Sequence, residues 1–423
     1  MKYFFLPLFL FGVIHINGQN NLEQQIIDIE SKIIAWQRDF HENPELSNRE
    51  FKTAEKIAKH LKSLGIEVQS NVAHTGVVGI LKGKQSGKVI ALRADIDALP
   101  VSERTDLTFK STIETEFLGT KTGVMHACGH DAHTAILMGV AEILSKNKDK
   151  IKGSIKFIFQ PAEEGPPPGE EGGAKLMIKE GVLENPKVDA IFGLHIATWE
   201  PTGTLAYKPK GLMAANERFE IKIKGIQTHG STPWTGVDPI LISTKIIDAF
   251  QTIISRESEL TNEAAVISVG KINSGVRYNI IPETSEITGT IRTLDISMRT
   301  HILKRMAELT ESIAKAYGGE AKIEFFNTSA ITYNDPDLVI KMLPSLTKVV
   351  GETNVTLSKA ITGAEDFSYF QEVVPGFYFF LGGQPTDKSK IFPHHTPDFV
   401  INENAMIIGV KALTQLTFDF LNN

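Results

Sequence analysis

The sequence is short of several things at once. It holds a single cysteine, Cys128, in 423 residues, so no intramolecular disulfide can form, and the thiol serves either core packing or chemistry. It has no excess of basic charge: 44 Lys plus Arg stand against 50 Asp plus Glu, for a formal net charge of −6. Nothing here is suited to grip a phosphate backbone, which argues against nucleic acid as a partner. There is no internal repeat, and the only biased stretch is PPPGEEGG at 166–173, read as a stiff loop leading into a helix. Past the first residues no run is apolar enough to cross a membrane. What remains, 42 % hydrophobic and 22 % charged residues with dispersed Gly and Pro, is ordinary globular composition. At about 150 residues per domain, the length predicts two domains.

Residues 1–18, MKYFFLPLFLFGVIHING, place one Lys before an apolar run from Tyr3 to Ile14 and end on Gly18. This is the layout of a secretory signal peptide, and the run is shorter than the ~20 residues of a membrane span. Ile16 stands where a small residue is usual before a cleavage site. The expectation is a secreted or periplasmic protein with no membrane association once the signal is removed.

Helical spacing over 22–40 and 49–64 opens the chain, followed by β-rich runs at 76–83 and 88–95, a helix over 131–145, a strand over 154–161, a helix over 173–179 and a strand over 188–196. Strands alternating with helices predict an α/β sheet. The rhythm then changes to strand 217–225, helix 239–256, strands 264–272 and 285–293, helix 298–317 and strand 321–329. That β-α-β-β-α-β order is the ferredoxin-like pattern. A helix over 336–349, a strand over 376–382 and a helix over 404–421 resume the earlier alternation. The expected organisation is signal 1–18, a discontinuous outer domain of 19–210 and 330–423, and an inserted α+β domain of 211–329.

The densest chemistry is HACGHDAH, residues 126–133, with three histidines, the cysteine and an Asp. Cys128 and His130 are two apart, so in an extended segment they point to the same side, and a thiolate with an imidazole suits zinc, manganese, cobalt or nickel. The plainer reading is a buried Cys among hydrogen-bonded histidines. Asp95 and Asp97 follow a predicted strand, where sites of open α/β sheets collect. They either ligate metal, hold a ligating histidine from behind, or form a turn. Glu163 and Glu164 follow the next strand, and successive side chains there diverge, so one can bind metal while its neighbour acts as base for a water. His195 ends an apolar strand. His394 and His395 share a Pro-bounded loop in which at most one needs to face a metal. Cys128, His130, Glu164, His195 and one of that pair make five ligands, more than one tetrahedral site uses, so two divalent ions are the simplest account. In the inserted unit, His229, Arg277 and Asn279 are either structural or donors to a developing oxyanion. TGAEDFSYF at 362–370 reads as a loop capping a helix.

These motifs together resemble the co-catalytic metallopeptidase and amidohydrolase superfamily, and within it the branch of N-acyl-amino-acid amidohydrolases, hippurate hydrolases and auxin-conjugate hydrolases. RADIDALP, HACGHDAHTAILMG, FQPAEEG, GLHI, HGSTPWTGVDPI, NIIPETSEITGTIRT, TGAEDFSYF and HHTPDF occur in that order over nearly the whole chain after the N-terminal segment. The resemblance implies a zinc-peptidase-like α/β catalytic domain with an inserted ferredoxin-like lid or dimerisation domain, and a homodimer formed through that insertion. It implies two divalent metal ions, manganese or zinc with cobalt or nickel also suitable, held by Cys128, His130, Glu164, His195 and His395. His395 is preferred to His394 because the family pattern is His, then Ser or Thr, then Pro. Glu163 becomes the general base, Asp97 the acid that orients the site, and His229 and Asn279 substrate-binding residues. The implied substrate is a small N-acyl amino acid. Where the peptidase branches carry a His-x-Asp ligand motif, this chain has Asp95-Ile96-Asp97. A dipeptidase or carboxypeptidase on the same scaffold, a metal- or peptide-binding protein without turnover, and a hydrolase with Cys128 as nucleophile are the alternatives.

Overall fold

The computed structural model describes residues 22–422, and the expected signal segment lies outside them. In chain order the main elements are α1 (Glu30–Glu42), α2 (Phe51–Ser63), β1 (Glu67–Val72), β2 (Gly76–Lys82), β3 (Gln85–Asp95), α3 (His130–Lys146), β4 (Lys152–Gln160), α4 (Gly173–Lys179), β5 (Ala190–Ala197) and β6 (Leu205–Tyr207). There follow β7 (Ala215–Lys224), α5 (Pro239–Thr252), β8 (Ala265–Ser274), β9 (Thr284–Thr293), α6 (Ile296–Ala316) and β10 (Glu320–Ser329). The chain closes with α7 (Pro336–Val350), β11 (Val355–Leu357), α8 (Phe367–Gln371), β12 (Gly376–Gly382) and α9 (Ala405–Asn422). Two units result: 1–207 with 337–357 and 374–423, and 208–336 with 358–373.

The first unit is built on an eight-stranded sheet of order β1-β2-β4-β3-β5-β12-β6-β11. The four central strands, β4, β3, β5 and β12, run parallel to their neighbours within that block. Buried on both faces, they read as continuous apolar runs, IKFIFQ, VIALRAD, AIFGLHIA and GFYFFLG. Parallel neighbours bring their carboxyl ends to one edge, so the loops after Asp95, Gln160, Ala197 and Gly382 open on the same side. Helix α3 is buried at every position from His130 to Leu144, polar residues at its start included. It packs against the sheet and against α1 and α9. Strand β1 escaped the sequence reading because EVQSNV, an edge strand with one buried residue, carries no alternation to detect.

The second unit has the expected β-α-β-β-α-β order, and its four strands pair antiparallel as β8-β9-β7-β10. Strand β7 alternates buried and less buried residues along its length, and Phe219, Ile221 and Ile223 join Ile242, Ile246 and Phe250 of α5 and Ile302 and Met306 of α6 in one core. The segment 358–373, expected in the outer domain, clusters instead with this unit. The Ala214 N–H donates to the carbonyls of Ile361 and Gly363, the Tyr369 hydroxyl to Asn327 Oδ1 at 2.8 Å, and Gln371 Nε2 to Asn334 Oδ1 at 3.0 Å. Side-chain bonds from a nine-residue motif are invisible to periodicity, which is why the sequence boundary fell elsewhere.

One buried network ties α1 to the start of α3. His41 places Nδ1 2.8 Å from Asp131 Oδ2 and Nε2 3.2 Å from Glu103 Oε1, and Gln37 Nε2 donates to the same Asp131 oxygen at 2.6 Å. Burial alone would lower His41, but the two carboxylates win and raise it to about 10. A folded value above the unfolded ~6.5 means the stabilisation is complete below pH 6.5 and is lost as pH climbs through the folded value. Urea unfolding should therefore show stability declining between pH 7 and pH 10 by on the order of 2 kcal/mol, with His41→Gln flattening that decline.

Candidate metal centre

The chemistry-bearing side chains of the first unit meet at the carboxyl edge of the parallel strands. Cys128 and His130 are brought together by a sharper device than the extended segment the sequence suggested. Gly129 between them sits at φ +92°, a left-handed conformation at the N-cap of α3, so the chain bends and both side chains turn to one point. A Cβ there would lie 2.3 Å from Ile196 Cγ2, so the glycine also lets this bend approach the end of β5.

Cys128 is the hub. Its Sγ lies 3.4 Å from His195 Nε2, 3.3 Å from His395 Nε2 and 3.7 Å from His394 Nδ1. His395 Nε2 is also 3.0 Å from Glu164 Oε1, while His130 Nε2 is 4.0 Å from Glu164 Oε1 and 4.0 Å from Glu163 Oε2. Cys128 thus belongs to two donor groups, one with His195 and His394 and one with His130 and Glu164, each with its ligand atoms within 4.8 Å of one another. Both histidines of the 394–395 pair face the thiol, where one was thought sufficient.

Hydrogen bonds on the far side of each ring decide which nitrogen is offered. His130 Nδ1 lies 2.9 Å from the Asp97 carbonyl and must donate to it, which leaves the Nε2 lone pair facing inward, buried and with no hydrogen-bond partner. His195 Nδ1 donates in the same way to the Ile196 carbonyl at 2.7 Å, leaving Nε2 toward Cys128. His133 is the contrast. Its Nδ1 bonds Asp95 Oδ1 at 2.6 Å and its Nε2 accepts the Ile196 N–H at 2.8 Å, so neither nitrogen is left for a metal. Asp95 is consumed likewise, its other oxygen taking Arg93 Nη1 at 2.6 Å.

The electrostatics ask for a cation. Burial and the charge of Glu164 push the Cys128 thiol up, and burial together with His133 and His394 holds His195 well below its usual value. Burial and the neighbouring His395 lower His394 to about 3. His130 and His395 run the other way: despite burial, Asp95 and Cys128 raise His130, and Cys128 and Glu164 raise His395 to about 10, so positive charge is favoured beside the thiol and the carboxylate, where a divalent cation would fit. Asp97 lies behind the cluster: burial opposes its charge, but His130 and the Ser47 hydroxyl, 2.7 Å from Oδ2, keep it below the usual carboxylate value. The same oxygen accepts the Glu164 N–H at 3.1 Å.

His229 and Asn279 both belong to the second unit, where a short ladder pairs Thr228 with Ile281 and His229 with Ile280. The Gly230 N–H donates to the Asn279 carbonyl at 2.9 Å, so the two candidates are neighbours. His229 Nδ1 accepts from the Ser231 N–H at 3.0 Å, and Asn279 Oδ1 is buried with no hydrogen-bond partner. Sequence reasoning missed Ser47 and Glu50, which come from the ELSNRE segment and reach the site only through the fold. It also gave no role to His133, whose double bonding is a tertiary fact.

A family model described as peptidase family M20/M25/M40 matches residues 91–419. The chain is 42 % identical over 406 residues to thermostable carboxypeptidase 2 of Saccharolobus solfataricus, covering 95 % of this chain and 98 % of that one. It is 38 % identical over 379 residues to an N-acetyl-L-cysteine deacetylase of Bacillus subtilis, covering 90 % and 86 %. Among solved structures it is similar to a dinuclear metal-binding peptidase of the M20 family from Bacillus subtilis, with a TM-score of 0.77, 34 % identity, and coverage of 93 % and 99 %.

The bend at Gly129 yields a direct test. Gly129→Ala adds a left-handed alanine and a clash with Ile196, so urea unfolding should show a loss of about 1–3 kcal/mol, and cobalt titration a weaker metal affinity.

Proposed function

The chain belongs to the peptidase family M20/M25/M40 and is a metal-dependent hydrolase of amide bonds, and from that premise we propose that its substrates are N-acyl-L-amino acids carrying an acetyl, benzoyl or similar acyl group. The acyl class is supported by the 38 % identity to an N-acetyl-L-cysteine deacetylase, and the observation that carries hydrolysis is the pairing of Glu163 and Glu164 beside His130 and Cys128: two adjacent carboxylates against a cluster that needs only one of them as ligand. Cys128, His130, Glu164, His195 and His395 would hold two divalent ions, manganese or zinc, which supply Lewis-acid polarisation of the amide carbonyl and acidify the attacking water.

The rest falls to the chain. Glu163 removes a proton from the water as it attacks the carbonyl carbon, and returns it to the amine nitrogen as the C–N bond breaks. Asp97 keeps His130 oriented through its carbonyl and Glu164 in place through its carboxylate. His229 and Asn279 are assigned to substrate binding. Export directed by residues 1–18 and pairing of two copies through the second unit complete the proposal. A second reading, an exported dipeptidase or carboxypeptidase, is favoured by the 42 % identity to a carboxypeptidase.

Amine release from N-acetyl and N-benzoyl amino acids, compared with free dipeptides, separates the two. With manganese- or zinc-loaded protein the acylated compounds should be cleaved faster, and a chelator should abolish the activity. Faster release from dipeptides would establish the peptidase instead. Glu163→Gln should retain its metal yet lose about 10²-fold or more in kcat.

A further inference from the structure

Glu50 is fully buried and its carboxylate does an unusual job. It occupies the N-cap of α2 but makes no capping bond there. That task falls to Glu45, whose two oxygens accept the Lys52 and Thr53 N–H groups at 3.2 and 2.9 Å. The Glu50 side chain turns inward instead, where Oε2 accepts the Thr75 hydroxyl at 2.5 Å and Oε1 accepts the Ala162 N–H at 2.9 Å.

Ala162 has φ +52°, a left-handed backbone that an alanine adopts only when its surroundings insist. It opens a turn closed by the Gly165 N–H on the Ala162 carbonyl, and the two residues inside that turn are Glu163 and Glu164. One side of the turn is pinned by Asp97 on the Glu164 N–H, the other by Glu50 on the Ala162 N–H. We propose that Glu50 is a positioning residue, holding Ala162 in its left-handed conformation so that the carboxylates of Glu163 and Glu164 reach their places in the cluster. The inference rests on the roles given to those two residues above.

The test uses the full chain and two readouts, kcat and KM on an N-acyl amino acid, and affinity for cobalt followed by its thiolate absorption. Glu50→Ala should lower kcat by about 10-fold to 10²-fold with KM nearly unchanged, and weaken cobalt affinity. Glu50→Gln keeps an acceptor for Ala162 and a group able to bond Thr75, and should stay within about threefold of the native protein. Glycine populates the left-handed region without strain, so Ala162→Gly placed in the Glu50→Ala background should restore most of both readouts. Should Glu50→Ala fail to fold, Glu50→Asp, charged but one methylene shorter, replaces it with the same expectation of loss and glycine rescue. A folded Glu50→Ala or Glu50→Asp protein with native kcat and cobalt affinity, or one that Ala162→Gly does not improve, overturns the proposal. An inactive native protein would sink the substrate assignment alone, because the cobalt readout still reports whether Glu164 is in place.

Discussion

An imidazole has two nitrogens, and in this site the one turned away from the cluster governs the one turned toward it. The Asp97 carbonyl on His130 and the Ile196 carbonyl on His195 each claim a proton, and each thereby fixes a lone pair facing Cys128 or the paired glutamates. These acceptors are backbone groups at the ends of parallel strands, so the protonation pattern is a property of the sheet. His133, a few residues along the same helix, shows the alternative outcome: bonded at both nitrogens, it becomes a brace between Asp95 and β5.

The same edge gathers an unusual density of negative charge. Glu50, Asp95, Asp97, Glu163 and Glu164 lie on adjoining segments, and among the described residues Arg93 is the buried cation that meets them, through Asp95 and Gln160. Burial first, and then the charge of Asp97, lift Glu50 to about 8. Hydrogen bonds to Cys128 and Glu164 raise His395 to about 10.

Much of this was legible before the fold was known. Periodicity located the central strands and the ferredoxin-like order of the second unit, because buried parallel strands and alternating β-ribbons leave strong patterns. The candidate donors at 128, 130, 164 and 195 stood out because thiol, imidazole and carboxylate clustered in motifs have few structural uses. The rest depends on backbone geometry or distant contacts. Cys128 and His130 were expected to share a side of an extended segment, yet the left-handed φ of Gly129 between them bends the chain. Glu50 was not singled out in the sequence, and only the fold carries it 112 residues along the chain to Ala162. The choice between His394 and His395 rested on the resembled His-Thr-Pro pattern, and in the structure both approach the thiol.

The contact between Cys128 and His395 spans 267 residues, and the entire second unit is encoded between His195 and His395. A ribosome-bound chain that has released only its first half therefore owns most of the donors but not the last of them. The inserted unit has its own core and a largely local strand order, so it can fold while the first unit still awaits β12 and α9. Completion of the cluster is thus a late event in biogenesis, reached only by chains whose C-terminal portion has docked on the sheet, and truncated translation products are left without a finished centre.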